Sequence, residues 1–237
     1  MNDRIAKERL NIILLVDASK SMQGKRIKQV DQAILDIKEY LKELQVENTN
    51  VDFYVTIIPF GNDSYFYNNK DYINIDNLEY KGIKCGGYSN LHCAYQKLGD
   101  ILKKESKGGI MPDFGGVAPI ILLLTDGHPT GNKYQEELQL IEKSPWFKAA
   151  LRYGIAIELN DDRTLKVLND FVGNNGDVIS CYNSNMLKNI IKIIVLTASK
   201  VKSTSSNVIC VEHNLTQHEE VKQLIAEELA DTENWEW

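Results

Sequence analysis

The sequence predicts an α/β domain in which a mostly parallel sheet is covered by helices on both faces. Two observations carry this prediction. Short, continuously apolar runs, of which residues 11–16 and 117–125 are the clearest, are typical of strands buried on both faces. They alternate with segments in which apolar residues recur every three or four positions, as on one face of a helix. Strands that alternate with helices in this way form parallel βα units.

The first half of the chain predicts strand, helix, strand and helix. The apolar run at 11–16 ends abruptly at Asp17, and residues 51–60, rich in β-branched and aromatic side chains, predict the second strand. Residues 62–84 contain many Asn, Asp and Tyr residues and predict an edge strand with loops. Two amphipathic helices are indicated, the first by Ile27, Val30, Ile34, Ile37, Leu41 and Leu44, the second by Leu91, Ala94, Leu98, Ile101 and Leu102.

The second half repeats the alternation. Its most hydrophobic segment, residues 117–125, predicts a strand that again ends at an aspartate, Asp126. Either Asp161 or Asp162 is expected to cap a later helix. The remaining predicted elements are a helix at 134–143 that stops near Pro145, a strand at 154–159, a helix at 163–172, a strand at 177–181 and a helix at 185–200.

Composition predicts a globular protein of the cytoplasm. Hydrophobic residues make up 43% and charged residues 25% of the 237 residues. No apolar run reaches the roughly 18 residues that a membrane span needs, and the charged start does not resemble a signal peptide. The four cysteines are far apart and form no Cys-x-x-Cys pair, which argues against a disulfide framework and a structural zinc site.

The charge is concentrated at the C-terminal end. We divide the chain into a domain at 1–205 and an acidic extension at 206–237, which holds eight acidic residues and one lysine. The nearly neutral domain gives no broad electrostatic reason to bind nucleic acid. In the extension, Val221, Leu224, Ile225 and Leu229 predict a short amphipathic helix, which either packs on the domain or presents Trp235 and Trp237 to a partner.

Oxygen-bearing side chains follow the two most apolar strands. Ligands of open parallel sheets bind at the carboxyl ends of the strands, so Asp17 and Asp126 are expected to lie near each other if their strands are neighbours. Alternation along the chain places Ser19 and Ser21 on the same side as Asp17. Carboxylate and hydroxyl oxygens are ligands for hard cations such as Mg²⁺ and Ca²⁺. The pattern therefore predicts a divalent-cation site.

These motifs resemble the metal-ion-dependent adhesion site of von Willebrand factor A domains. The resemblance rests on Asp17-x-Ser19-x-Ser21 after one apolar strand and Thr125-Asp126-Gly127 after another, and it covers roughly residues 8–205. It implies a Rossmann-like three-layer fold with one antiparallel edge strand. The segment Gly86-Gly87-Tyr88-Ser89-Asn90-Leu91 resembles the family's Gly-Gly-Thr-Asn-Leu, with Tyr88 inserted and serine replacing threonine.

The resemblance also implies roles for the site residues. Ser19, Ser21 and Ser89 would contact Mg²⁺, or Mn²⁺ or Ca²⁺, directly, and Asp17 and Asp126 would act largely through water. A protein partner would then present a carboxylate to the ion, with neither a membrane nor a nucleic acid involved. The segment 125–130 is most similar to the bacterial tellurium-resistance type of this family, which implies a stress-response setting and a partner from a kinase or phosphatase system.

Two other functions are kept as alternatives. A Mg²⁺-dependent phosphohydrolase of the dehalogenase kind also places an aspartate after its first strand, but its second carboxylate, two residues later, is here Ser19. The sequence contains neither Gly-x-Ser-x-Gly nor a phosphate-binding Gly-x-x-x-x-Gly-Lys-Ser/Thr loop. We therefore expect a binding protein and not an enzyme. The third possibility is a metal-free scaffold with the same fold.

Overall fold

A computed structural model describes residues 7–47, 50–158, 161–173, 176–200 and 220–227. Strands and helices alternate along most of the chain, as the sequence predicts. The strands are β1 (Glu8–Asp17), β2 (Val51–Phe60), β3 (Ile73–Asn74), β4 (Ile120–Thr125), β5 (Leu151–Ile157) and β6 (Gly176–Cys181). The helices are α1 (Lys25–Glu47), α2 (Leu91–Ile101), α3 (Lys133–Ile141), α4 (Pro145–Ala149), α5 (Asp162–Val172) and α6 (Ser184–Lys200).

The strands form one sheet in the order β3-β2-β1-β4-β5-β6. Every pairing is parallel except that of the two-residue edge strand β3 with β2. This arrangement confirms the predicted α/β class with a mostly parallel sheet and one antiparallel edge strand. The central strand β1 lies between β2 and β4, so the residues that follow β1 and β4 come together at one edge.

A hydrophobic layer covers each face of the sheet. Successive side chains of β1 point to opposite faces, so this strand contributes residues to both layers. Leu14 and Val16 face the layer that contains the apolar residues of α1 and α6. Ile13 and Leu15 face the layer formed with α2, α3 and α5. Burial on both faces explains why this strand is an unbroken apolar run in the sequence.

The strand β5 begins three residues before its predicted start. The prediction misses this start because a charged residue, which is buried in the structure, interrupts the apolar pattern of the strand. Arg152 is 7% exposed, and its guanidinium donates to the carbonyl oxygens of Phe171 (3.0 Å) and Val172 (2.7 Å) at the end of α5. Burial lowers the pKa of Arg152 to about 10. The arginine thereby satisfies carbonyl groups that a helix leaves unpaired at its C-terminus.

The short helix α4 departs from the sequence prediction, in which Pro145 only stops the preceding helix. Proline fits the first turn of a helix because the N–H that it lacks has no partner there. Pro145 opens α4, and the following Trp146 and Phe147 are buried against α2 and α5 residues. Of the two predicted caps of α5, the structure has Asp161, whose carboxylate accepts from the backbone N–H of Arg163 at 2.9 Å.

Part of the acidic extension packs on the domain. Residues 220–227 are helical, and Val221 and Ile225 are buried in the same hydrophobic cluster as the inner residues of α1 and α6. Lys222 approaches the Asp177 carboxylate of β6 at 4.0 Å. Leu229 and the two tryptophans of the extension lie outside the described residues, as does the boundary between 205 and 206. Among the described residues, no helix combines the length and apolar composition that a membrane crossing requires.

Two neighbouring residues of this helix should differ in their effect on stability. Ile225 is 5% exposed and Leu224 is 37% exposed. Ile225→Ala should lower the free energy of unfolding by about 2–4 kcal/mol because it leaves a cavity, whereas Leu224→Ala should cost less than about 1 kcal/mol. Urea unfolding curves of the two variants measure the difference. Equal, small losses would contradict the packing of this helix.

Candidate metal-binding site

Three segments meet at the carboxyl edge of the sheet. Asp17 is the last residue of β1, Asp126 directly follows β4, and Ser89 lies two residues before α2. Because β1 and β4 are paired in parallel, the two aspartates lie at the ends of adjacent strands. The structure thus brings together the side chains that the sequence analysis selected: Asp17, Ser19, Ser21, Ser89 and Asp126.

The loop after β1 is folded around the carboxylate of Asp17. Its Oδ1 accepts from the backbone N–H of Ser19 at 2.8 Å, a contact that fixes the turn. Met22, fully buried, anchors the end of the short helical turn Lys20–Met22. The Oγ atoms of Ser19 and Ser21 lie 3.0 Å apart. Ser19 is buried and Ser21 is exposed, so the site opens to solvent through Ser21.

The second loop brings Ser89 to the same carboxylate. Its hydroxyl donates to Oδ2 of Asp17 at 2.9 Å. The backbone N–H of Tyr88 donates to the Asn62 side chain at 2.8 Å, while the Tyr88 side chain is 68% exposed. Gly87 has a φ of 76°, and a Cβ at this position would collide with Asn62. The inserted tyrosine therefore projects outward and leaves the serine in contact with Asp17.

The third segment joins these loops into one hydrogen-bond network. Oδ1 of Asp126 accepts from the Ser21 hydroxyl at 2.7 Å. Thr125 donates from its hydroxyl to Oδ2 of Asp17 at 2.7 Å. Oδ2 of Asp126 pairs with Nη1 of Arg26 at 2.6 Å. Each serine hydroxyl that donates to a carboxylate keeps its lone pairs for another ligand.

The two carboxylates have different electrostatic surroundings. Burial raises the pKa of Asp17, and hydrogen bonds from Thr125, Ser19 and Ser89 oppose the rise. Asp126, whose side chain is fully buried, instead has the guanidinium of Arg26 as its counter-ion. A buried carboxylate without a cation is costly, so the surroundings of Asp17 favour a bound positive charge.

The donor chemistry fits a hard divalent cation. Five side chains contribute only carboxylate and hydroxyl oxygens, which Mg²⁺, Mn²⁺ and Ca²⁺ accept as ligands. Within the described ranges, no group of three or more His, Cys, Asp and Glu residues has a metal-binding arrangement. A metal at this site would therefore depend on the serine hydroxyls and on water, as the resemblance implies. The ligand roles of these residues stay a prediction.

Three residues at this edge were not assigned a role from the sequence. Thr125 enters the sequence motif only as the neighbour of Asp126, and Arg26 carries no signal of a role in the site. Glu158 follows the buried strand β5 just as Asp17 and Asp126 end or follow theirs, so the same signal could have found it. Its backbone has a φ of 49°, unusual for a residue with a side chain.

Comparison with known proteins identifies the family. The family model of the von Willebrand factor type A domain matches residues 11–194, more than three quarters of the chain. This chain belongs to the von Willebrand factor type A domain family. Domains of this family commonly mediate metal-dependent protein interactions.

Individual relatives are distant. The inter-alpha-trypsin inhibitor heavy chain H1 of Sus scrofa is 27% identical over 132 residues, which are 53% of this chain and 14% of that protein. A von Willebrand factor type A structure from Catenulispora acidiphila has a TM-score of 0.58 at 12% identity, covering 81% of this chain and 43% of that one.

Another similar structure is proximal thread matrix protein 1 from the mussel byssus, solved with zinc in its adhesion-site motif. It has a TM-score of 0.52 at 17% identity and covers 82% of this chain and 48% of that one. At these identities the structures show a shared fold. The chain matches one seventh of the inhibitor heavy chain and less than half of each solved chain.

The affinity for a divalent cation should fall as the pH falls. A cation requires Asp17 as the carboxylate, and burial raises the pKa of this group. Protons should therefore compete at a higher pH than they would at an exposed aspartate. Calorimetric titrations with Mn²⁺ from about pH 7.5 down to about pH 4 measure this, with circular dichroism as the control for folding. A loss of affinity that begins at no higher pH than the titration of an exposed aspartate would contradict the raised pKa.

Proposed function

We propose that this chain is a protein-binding domain that holds a divalent cation, in the first instance Mg²⁺, and uses it to bind an acidic group of a partner. The observation that carries the proposal is the hydrogen-bond network that joins the five oxygen-bearing side chains at the carboxyl edge of the sheet. When bound, the cation would supply an electrophilic centre for a carboxylate oxygen. The protein holds the oxygen ligands in place and leaves the solvent-facing side of the site open to the partner.

The rim of the site has the chemistry expected for an acidic partner. Ser21 is exposed, and Lys20 beside it is an exposed cation, while the exposed Lys25 pairs with Glu158 at 2.6 Å. Tyr88, 68% exposed, adds an aromatic side chain of the kind that anchors protein interfaces. An exposed lysine with an aromatic contact favours an acidic segment over an apolar one.

The contacts of Asp17 support binding over catalysis. A dehalogenase-type nucleophile needs a carboxylate oxygen free to attack and a second acid nearby. Here Oδ1 accepts from the N–H of Ser19, and Oδ2 accepts from the hydroxyls of Ser89 and Thr125. With both oxygens engaged and a serine in place of the second acid, we propose that the domain has no hydrolytic activity.

We place the domain in a bacterial stress-response or tellurium-resistance system of the cytoplasm. The support for this setting is the resemblance of the segment 125–130, and a component of a phosphorylation system would be the partner. Recovery of the partner from native cells should be lost on adding a chelator or on substituting Asp17. Recovery that is unaffected by both would count against metal-dependent binding.

Substitutions in the network should weaken cation binding. Ser21→Ala removes an exposed hydroxyl and is expected to preserve the fold, whereas Asp17→Ala removes the centre of the network. Both should lower the affinity for Mg²⁺ or Mn²⁺ at least roughly tenfold, as expected when a ligand or its support is lost. Isothermal titration calorimetry measures the affinity.

A matched control is Asp100→Ala. This exposed aspartate lies near the other end of α2 and pairs with Lys103, so its loss should leave the affinity unchanged. If the wild-type protein bound no cation, the metal-free scaffold would replace the proposal. If the wild-type protein released phosphate from phosphoester substrates, the phosphohydrolase alternative would replace the proposal.

A further inference from the structure

An arginine already occupies one carboxylate of the candidate metal site. Nη1 of Arg26 lies 2.6 Å from Oδ2 of Asp126, whose side chain is fully buried. The other oxygen of Asp126 accepts from Ser21, a proposed metal ligand, at 2.7 Å. The guanidinium and a proposed metal ligand thus contact the two oxygens of the same carboxylate, so a divalent cation bound by Ser21 would lie close to Arg26. Two positive charges this close repel each other.

The structure also provides a second carboxylate for the same arginine. Oε2 of Glu158 lies 3.7 Å from Nε of Arg26. The other oxygen, Oε1, is held by Lys25 at 2.6 Å and by Gln29 at 2.8 Å. Hydrogen bonds from Lys25 and Gln29 lower the pKa of Glu158, so it is a stable anion at neutral pH. The arginine side chain is 32% exposed and already lies within ion-pair distance of both acids.

We propose that Arg26 is the counter-ion of Asp126 in the metal-free site, and that it competes with the divalent cation for this carboxylate. Glu158 accepts the guanidinium when the cation takes its place. This inference rests on the proposed function, since it concerns affinity for the same cation. Arg26 then sets the concentration of free cation at which the site is half-occupied. The bound cation replaces the positive charge that Arg26 supplies to Asp126 in the metal-free site.

The proposal predicts effects of opposite sign for two substitutions. Arg26→Gln removes the competing charge and should raise the affinity for Mn²⁺ by at least roughly fivefold, the size expected for two unit charges a few ångströms apart even with the full screening of bulk water. Glu158→Gln removes the alternative acceptor and should lower the affinity by a similar factor. Arg26→Lys, which keeps the charge, should remain close to the wild type.

Stability without metal supplies a second readout. Arg26→Gln leaves the buried Asp126 without its cation, so the melting temperature in chelator should fall by roughly 5 °C, and saturating Mn²⁺ should restore most of the loss. The control is Lys28→Gln, which removes an exposed positive charge from α1 without touching Asp126. It should change neither quantity.

The experiment is a calorimetric titration of Mn²⁺ into wild type and the four variants, with melting curves in chelator and in Mn²⁺. If the wild type binds and Arg26→Gln binds equally or more weakly, Arg26 only positions Asp126 and the inference is overturned, while the proposed function stands. If neither binds, both fail. If only Arg26→Gln binds, the inference is supported, and the wild-type site is closed by its own arginine.

Discussion

The arrangement of the site depends on the buried carboxylate of Asp17 at the end of the central strand. Two loops and the end of the neighbouring strand β4 all donate hydrogen bonds to it, from Ser19, Ser89 and Thr125. Three distant parts of the chain are therefore held together by one side chain. Burial alone would make this carboxylate unfavourable, and the hydrogen bonds offset only part of that cost, since the pKa stays raised.

Charge balance distinguishes the two halves of the network. Asp17 receives only neutral donors, whereas Asp126 is paired with Arg26. Glu158, at the end of the next strand, gathers Lys25, Arg26 and Gln29. The edge of the sheet thus carries a cation of its own beside the position proposed for a divalent ion. We propose that the affinity for such an ion depends on this arginine as well as on the ligands.

Much of this fold follows from hydrophobic periodicity. The class, the parallel sheet and most elements were predicted because β1 and β4 are buried on both faces and the apolar residues of α1 and α2 recur at helical spacing. The sequence predictions are wrong where one residue is compatible with two different local structures. Pro145 opens α4, whereas α3 has already ended at Ile141. The charge of Arg152 hides the start of β5 because its partners, the carbonyl groups of α5, are far along the chain.

The sequence predicts those residues of the site that directly follow a strand. Asp17 and Asp126 could be placed together from topology, and Ser89 from a family resemblance despite the inserted Tyr88. The position of Glu158 after β5 is predictable in the same way, but its ion pair with Arg26 is not, because a contact between the start of a helix and the end of a distant strand leaves no pattern in the sequence. Such contacts depend on side-chain geometry and not on periodicity.

The most direct test of the account is an anomalous difference map from crystals of the protein soaked in Mn²⁺. The account predicts one strong peak at the carboxyl edge of the sheet, between about 2.0 and 2.6 Å from the hydroxyl oxygens of Ser19, Ser21 and Ser89. A well-diffracting crystal with no peak there, at a concentration that saturates any binding seen in solution, would contradict it.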